Sequence, residues 1–161
     1  MSANGQNLTP VSVDLLPPTY RRARLSEPLN AYGYHVPVGF ETDFTSIPRI
    51  FWRVLPPWSW YSPAAILHDW LYLVNGLTRK QTDDLFKEHI KALRLQYLKA
   101  MSTGDSESGD YSRIRLFAMR ARRAAQTKAV PQLIYRGVRL GGWRAWGRYR
   151  KAEAKAASKK K

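Results

Sequence analysis

The sequence predicts an α+β fold: a small N-terminal antiparallel β unit packed on a cluster of four to five helices, with a basic C-terminal tail. Three observations lead there. Apolar residues alternate at period two only ahead of Ser46, where Gly and Pro punctuate short runs. Beyond Ser46 they recur at helical spacing between capping residues. Charge is divided just as sharply. Residues 1–110 hold 11 basic and 11 acidic side chains, whereas residues 111–161 hold 16 basic residues and Glu153 alone, so the net charge of +15 lies wholly in the last third.

The β unit comes first. Tyr32, Tyr34, Val36 and Val38 alternate with Gly33, His35 and Pro37, which predicts a strand. Gly39 then marks a turn or bulge, and Phe40 to Phe44 a second short strand. Ser46-Ile47-Pro48 is a helix start, with Ser46 as N-cap and a helix through Ile50, Phe51 and Val54 that Pro56-Pro57 ends. An aromatic loop, Pro56 to Tyr61, leads to Ser62 as the next N-cap, and Asn75-Gly76 closes that helix. Thr78 caps a longer helix from Arg79 to about Met101, whose stripe is Leu85, Phe86, Ile90, Leu93 and Tyr97.

Ser102 to Asp110 is an acidic loop, and Ser112 to Ala129 a basic amphipathic helix with Ile114, Phe117, Ala121 and Ala125 inward. Pro131 interrupts it, and Leu133 to about Tyr149 forms a last helix or pair of turns. There Gly137, Gly141 and Ala145 recur every four residues, a smooth stripe suited to close backbone approach. The expected organisation is a disordered stretch over 1–12, one domain over 13–150 (charge-neutral to 110, basic and helical beyond) and a disordered Lys/Ala-rich tail over 151–161.

Composition excludes several classes. A hydrophobic fraction of 44% with 12% aromatic residues rules out a wholly disordered basic protein. No apolar run approaches the roughly 20 residues of a membrane span, so a transmembrane protein is not expected. Met1 to Asn7 is polar and uncharged, unlike a signal peptide. The absence of cysteine removes disulfides, thiolate nucleophiles and Cys-type zinc sites.

The densest chemistry lies in Ala64-Ala65-Ile66-Leu67-His68-Asp69-Trp70-Leu71-Tyr72, with Asp83 on the next helix. His68 and Tyr72, four residues apart, share a helical face, while Asp69 lies about 100° round. A turn at Gly76 folds the next helix back, so Asp83 can meet His68. A carboxylate holding one imidazole nitrogen fixes the tautomer while the other nitrogen activates a water. The same pair can equally serve as a plain hydrogen-bonded tie between two helices, with Tyr72 as packing. His35 and His89 are expected to be structural. A second cluster, Thr42-Asp43-Phe44-Thr45-Ser46 with Arg49, ends a strand on a helix N-terminus, an arrangement suited either to anions or to capping by Asp43. No Gly-rich phosphate loop, nucleophile elbow or His-Glu-x-x-His helix is present.

These blocks together resemble the "domain of unknown function 1353" family of bacteriophages and prophages. The resemblance is carried by Val36-Pro37-Val38-Gly39-Phe40, Thr42 to Arg49, Ala64 to Tyr72, Arg79 with Asp83 and Phe86, and Tyr135 to Trp143, or about residues 20–147. It implies a phage origin, hence host cytoplasm or virion, while the family name itself assigns no particular activity. Within it, Ala-Ala-x-x-His-Asp-x-x-Tyr followed by Asp is similar to the catalytic hairpin of phospholipase A2 enzymes. That similarity implies His68 as general base for water, Asp83 orienting it, Tyr72 supporting the dyad, and Asp69 as a ligand for calcium, beside which Asp43 is a further candidate metal ligand. Where those enzymes carry a Gly-rich calcium loop, Leu55 to Tyr61 here has no glycine.

The basic third interleaves Arg136, Arg139, Arg144, Arg148 and Arg150 with Trp143, Trp146 and Tyr149. Arg pairs bidentately with phosphate, while Trp and Tyr stack on bases or sit at a lipid interface. These residues are therefore expected to bind a polyanionic partner, DNA or an anionic membrane, or other phage proteins. Three functions follow as expectations: a hydrolase using the His68–Asp83 dyad, a non-enzymatic virion or assembly protein, and a nucleic-acid-binding accessory protein.

Overall fold

A computed structural model of the chain describes residues 11–17, 22–42, 59–74, 76–103, 119, 123 and 125–158. The fold is α+β, as the sequence predicts. Five short strands, β1 (Val13–Leu16), β2 (Arg22–Leu25), β3 (Leu29–Ala31), β4 (Tyr34–Val36) and β5 (Glu41–Thr42), precede the helices α1 (Ser62–Leu73), α2 (Arg79–Thr103), α3 (Val130–Gly141) and α4 (Trp143–Ser158). Asp43, the helix expected from Ser46, most of the aromatic loop, residues 104–110 and most of the Ser112–Ala129 helix lie outside the described residues.

The β unit is two antiparallel pieces, β1-β2-β5 and the hairpin β3-β4. The expected single strand from Tyr32 to Val38 is instead a hairpin turn followed by β4. Tyr32 and Gly33 both take positive φ, 52° and 77°, the twist a two-residue hairpin loop needs, and Gly33 supplies one such position without steric cost. Gly39, at φ 82°, forms the expected bulge: Leu25 accepts from Gly39 N–H at 2.7 Å and donates to Phe40 O at 2.9 Å, two residues against one. Alternation then decides the faces. Ala23 and Leu25 of β2 are buried, while Arg22 and Arg24 point outward onto Glu41, with Arg24 Nη2 2.7 Å from its Oε1. Next to β1, Ser26 N–H donates to Ser12 O at 2.9 Å.

Helix boundaries follow the sequence signals only in part. Thr78 and Gln81 form a reciprocal cap on α2: Gln81 Oε1 accepts from Thr78 N–H at 2.9 Å, and Thr78 Oγ1 accepts from Gln81 N–H at 3.3 Å. Ser62 does not cap α1. Its Oγ accepts from Ser59 N–H at 2.9 Å, behind the helix, and Tyr61 occupies the cap position. Nor does Asn75-Gly76 end α1. The helix stops at Leu73, and its orphan carbonyls are met from α4, where Arg150 Nη2 donates to Tyr72 O at 2.9 Å and Leu73 O at 3.2 Å. Helix α4 continues to Ser158.

Packing is a ring: α1 lies on α2, α2 on α3, α3 on α4, and α4 returns to α1, while α1 also meets β3 and β4. The core runs through Ala64, Ala65, Ile66, Leu67 and Leu71 of α1, Phe86, Ile90 and Leu93 of α2, and Val130, Ile134 and Val138 of α3. A second polar anchor ties α3 to α2, since Asp84 accepts from Tyr135 OH at 2.8 Å and from Lys80 at 2.6 Å.

Candidate active site

Asp83 is the hub. Its first turn on α2 faces α1 across the helix hairpin, and it is completely buried. Oδ1 stands 2.9 Å from His68 Nε2 and accepts from Tyr72 OH at 2.6 Å. Oδ2 accepts from Arg139 Nη1 at 2.8 Å, with Arg79 Nε at 3.6 Å. An isolated buried carboxylate would be raised in pKa by desolvation; donation from His68, Tyr72 and Arg139 outweighs this and holds Asp83 below its ordinary value. The ionised carboxylate only accepts, so Nε2 carries the proton of the His68 contact.

His68 is nearly as deeply set, with 2% of its side chain exposed. Phe86 and Tyr72 flank its ring, with centroids at 4.5 Å and 4.3 Å. Its other nitrogen, Nδ1, lies 4.0 Å from Asp69 Oδ1. Burial by itself lowers the His68 pKa, but the two carboxylates, Asp69 and Asp83, together raise it above the ordinary value. Asp69 is fixed from the β unit, its Oδ2 accepting from Thr42 Oγ1 at 2.5 Å. Burial and Asp83 push the Tyr72 phenol up, so it remains a donor throughout the neutral range.

A cavity of about 220 Å³ opens beside this group, lined by His68, Asp69, Tyr72, the Gly137–Val138 and Gly141–Gly142 backbone, Arg144 and Arg148. The glycine stripe thus forms a wall of the cavity. Close approach occurs at Gly142, which sequence reasoning did not single out: a Cβ there would fall 2.8 Å from Tyr72 OH and 2.7 Å from Val138 O.

His68, Tyr72, Asp69 and Asp83 therefore stand together, and Asp43 lies outside the described residues. Among the described residues no group of three or more His, Asp or Glu is placed to hold a metal. Asp69 spends one oxygen on Thr42, and Asp43, its expected co-ligand, lies outside the described residues.

The basic residues do not form one tail surface. Arg139 is committed to Asp83, and Arg79 donates to the Arg139 carbonyl. Arg150 lies over the Trp146 ring at 4.9 Å, and Trp146 meets Tyr72 edge-on at 5.0 Å. Trp143 is 57% exposed, Tyr149 38%, and Arg136, Arg144 and Arg148 are exposed. Among the described residues, Arg139, Arg144, Arg148 and Arg150 of the basic third therefore stand at or beside the site. His35 is cross-strand structure, its Nδ1 2.7 Å from Asn30 Oδ1. His89 is buried edge-on to Tyr32, and desolvation lowers its pKa to about 4.

Thr42, Arg79 and Gly142 were the site residues given no role by local spacing. Only Arg79 carried a usable signal, since it precedes Asp83 by one helical turn.

One family model, described as Protein of unknown function (DUF1353), matches residues 23–103. The match takes in Thr42, His68, Asp69, Tyr72, Arg79 and Asp83, and stops before the Tyr135–Trp143 segment. No curated protein and no solved structure matches the chain.

Proposed function

This chain belongs to the DUF1353 family of proteins of unknown function, and for it we propose a hydrolase in which His68 activates water at an ester carbonyl. The observation that carries the reading is the two-sided setting of His68. Asp83 stands behind Nε2 at 2.9 Å, and Asp69 faces Nδ1 at 4.0 Å where both residues line a cavity. In the reaction, His68 Nδ1 takes a proton as the water oxygen bonds to the carbonyl carbon. Collapse of the tetrahedral intermediate breaks the bond to the leaving oxygen, which takes the proton back from His68. Acid and alcohol result. Asp83 orients the ring and stabilises the imidazolium, with Tyr72 and Arg139 positioning Asp83. No step is routed through calcium.

A second reading has its own support. Asp83 is fully buried with donors from α1 and α3, which suits a structural tie in a non-enzymatic phage virion or assembly protein. The exposed arginines and Trp143 would then meet DNA or a neighbouring subunit.

Assay of the full chain on short-chain carboxylic esters, with and without a phosphate group, separates the two. The hydrolase reading expects His68→Asn to lower kcat/KM by at least about 10²–10⁴-fold while the melting temperature stays within a few degrees. A parent protein that hydrolyses none of them, with His68→Asn strongly destabilised, would favour the tie.

A further inference from the structure

We propose that Arg144 and Arg148 form a phosphate-binding subsite for the substrate, so that the ligand of the His68 cavity is a phosphate-bearing ester. This rests on the hydrolase reading for its catalytic meaning, though not for the binding itself.

Among the described residues, the other site arginines are spoken for. Arg139 holds Asp83, Arg79 donates to the Arg139 carbonyl, Arg150 closes the end of α1, and Arg22 and Arg24 meet Glu41. Arg144 and Arg148 have no carboxylate partner there, and Arg144 lies over the ring of Trp143, at 5.2 Å. They sit four residues apart on α4, on one face and about 6 Å apart along the axis. Two guanidinium groups so placed repel each other until an anion lies between them, and phosphate matches their planar donor forks.

Their position fixes the relation to the chemistry. Both line the His68–Asp69 cavity, and both also line a neighbouring hollow of about 590 Å³ with Trp143, Gly147 and Lys151. They are the residues the two hollows share. At about 220 Å³ the His68 cavity is smaller than the roughly 300–1,000 Å³ of most ligand sites. It takes a headgroup-sized portion, and the remainder of the ligand lies in the second hollow beside the exposed Trp143. Asp69 is the one acid of the cavity lining and opposes an anion. It is held toward Thr42 on β5, and the two arginines outweigh it.

A phosphate group could arrive on a soluble ester or on a lipid headgroup. Calorimetric titration of the full chain with glycerol 3-phosphate probes the first, and co-sedimentation with vesicles of equal parts phosphatidylglycerol and phosphatidylcholine probes the second. The double variant Arg144→Gln/Arg148→Gln is compared with Arg123→Gln/Lys128→Gln, which removes the same charge from exposed positions off the cavity. The subsite expects at least tenfold weaker binding for the cavity pair in one arm or both, and less than twofold for the control. Dependence with glycerol 3-phosphate assigns a soluble headgroup as sufficient; dependence with vesicles alone assigns a bilayer lipid. Equal weakening by both double variants, or no binding in either arm, overturns the subsite. Binding is read without turnover, so absence of ester hydrolysis with the tenfold effect intact would remove the hydrolase and leave the subsite standing.

Discussion

Arg139 Nη1 donates to Asp83 Oδ2 at 2.8 Å across 56 residues of sequence, which fastens the basic last third of the chain to the carboxylate that holds His68. Replacing Arg139 by Met keeps most of the stem and removes the donor. Asp83 would retain its contacts to His68 and Tyr72 with one oxygen under-satisfied. Because the Arg139 side chain is 35% exposed, solvent offsets part of the loss, and the expected cost is about 1–3 kcal/mol. Urea denaturation at neutral pH measures it, and Arg136→Met, on the exposed side of α3, should stay within about 0.5 kcal/mol. Equal costs would mean that the ion pair contributes nothing specific.

The two buried histidines carry opposite pH signatures in separate windows. His68 is raised by Asp69 and Asp83, so its stabilisation is complete below the unfolded value near 6.5 and is lost as pH rises through the higher folded value. His89 is lowered to about 4. Between about 6.5 and 4 the unfolded chain takes a proton there that the folded chain refuses, and stability falls with pH by up to about 3 kcal/mol. Their joint contribution therefore peaks near pH 6.5. His89→Gln should flatten the acidic limb, and the cost of His68→Asn should be larger at pH 6 than at pH 9. An NMR titration of the His68 ring with a midpoint below 6.5 would refute the carboxylate clamp. For catalysis the same shift predicts activity that rises with pH above the ordinary histidine range, since the base must be neutral.

Much of this was legible along the chain because the signals were local. The α1–α2 hairpin, its apolar stripe and the Thr78 cap are encoded within a few residues of where they act. His68, Tyr72 and Asp83 meet because four-residue spacing and one tight connection leave little choice. The misread features are those decided by distant partners. Ser62 and Asn75-Gly76 are sound capping residues, yet the last carbonyl of α1 is met by Arg150, 77 residues away. The alternation from Tyr32 to Val38 suits a strand, yet Tyr32 and Gly33 turn at positive φ and Tyr32 packs edge-on against His89 of α2. Thr42 reaches Asp69 over 27 residues, a pairing that no periodicity announces. The charge asymmetry was plain in the sequence, but charge alone does not say which arginines are already paired.

Gly142 and Tyr72 provide the sharpest test of how the α3–α4 corner sets the site. Gly142 has negative φ, −68°, so its need for glycine is not conformational. The reason is space: a Cβ would lie 2.8 Å from the Tyr72 hydroxyl, closer than an unbonded carbon and oxygen approach. Gly142→Ala must therefore shift the corner away from Val138 O, 2.7 Å from the added Cβ, and press on the hydroxyl that donates to Asp83 at 2.6 Å, at about 1–3 kcal/mol. Tyr72→Phe removes that hydroxyl and should cost about 1.5–3 kcal/mol through the lost bond to a charged group. Removing the hydroxyl relieves one of the two clashes and leaves the one with Val138 O at 2.7 Å, so the double variant should be more stable than the sum of the two losses predicts, by about 0.5–2 kcal/mol. Chemical denaturation of the four proteins closes the cycle, and strict additivity would show that the corner yields without disturbing Tyr72.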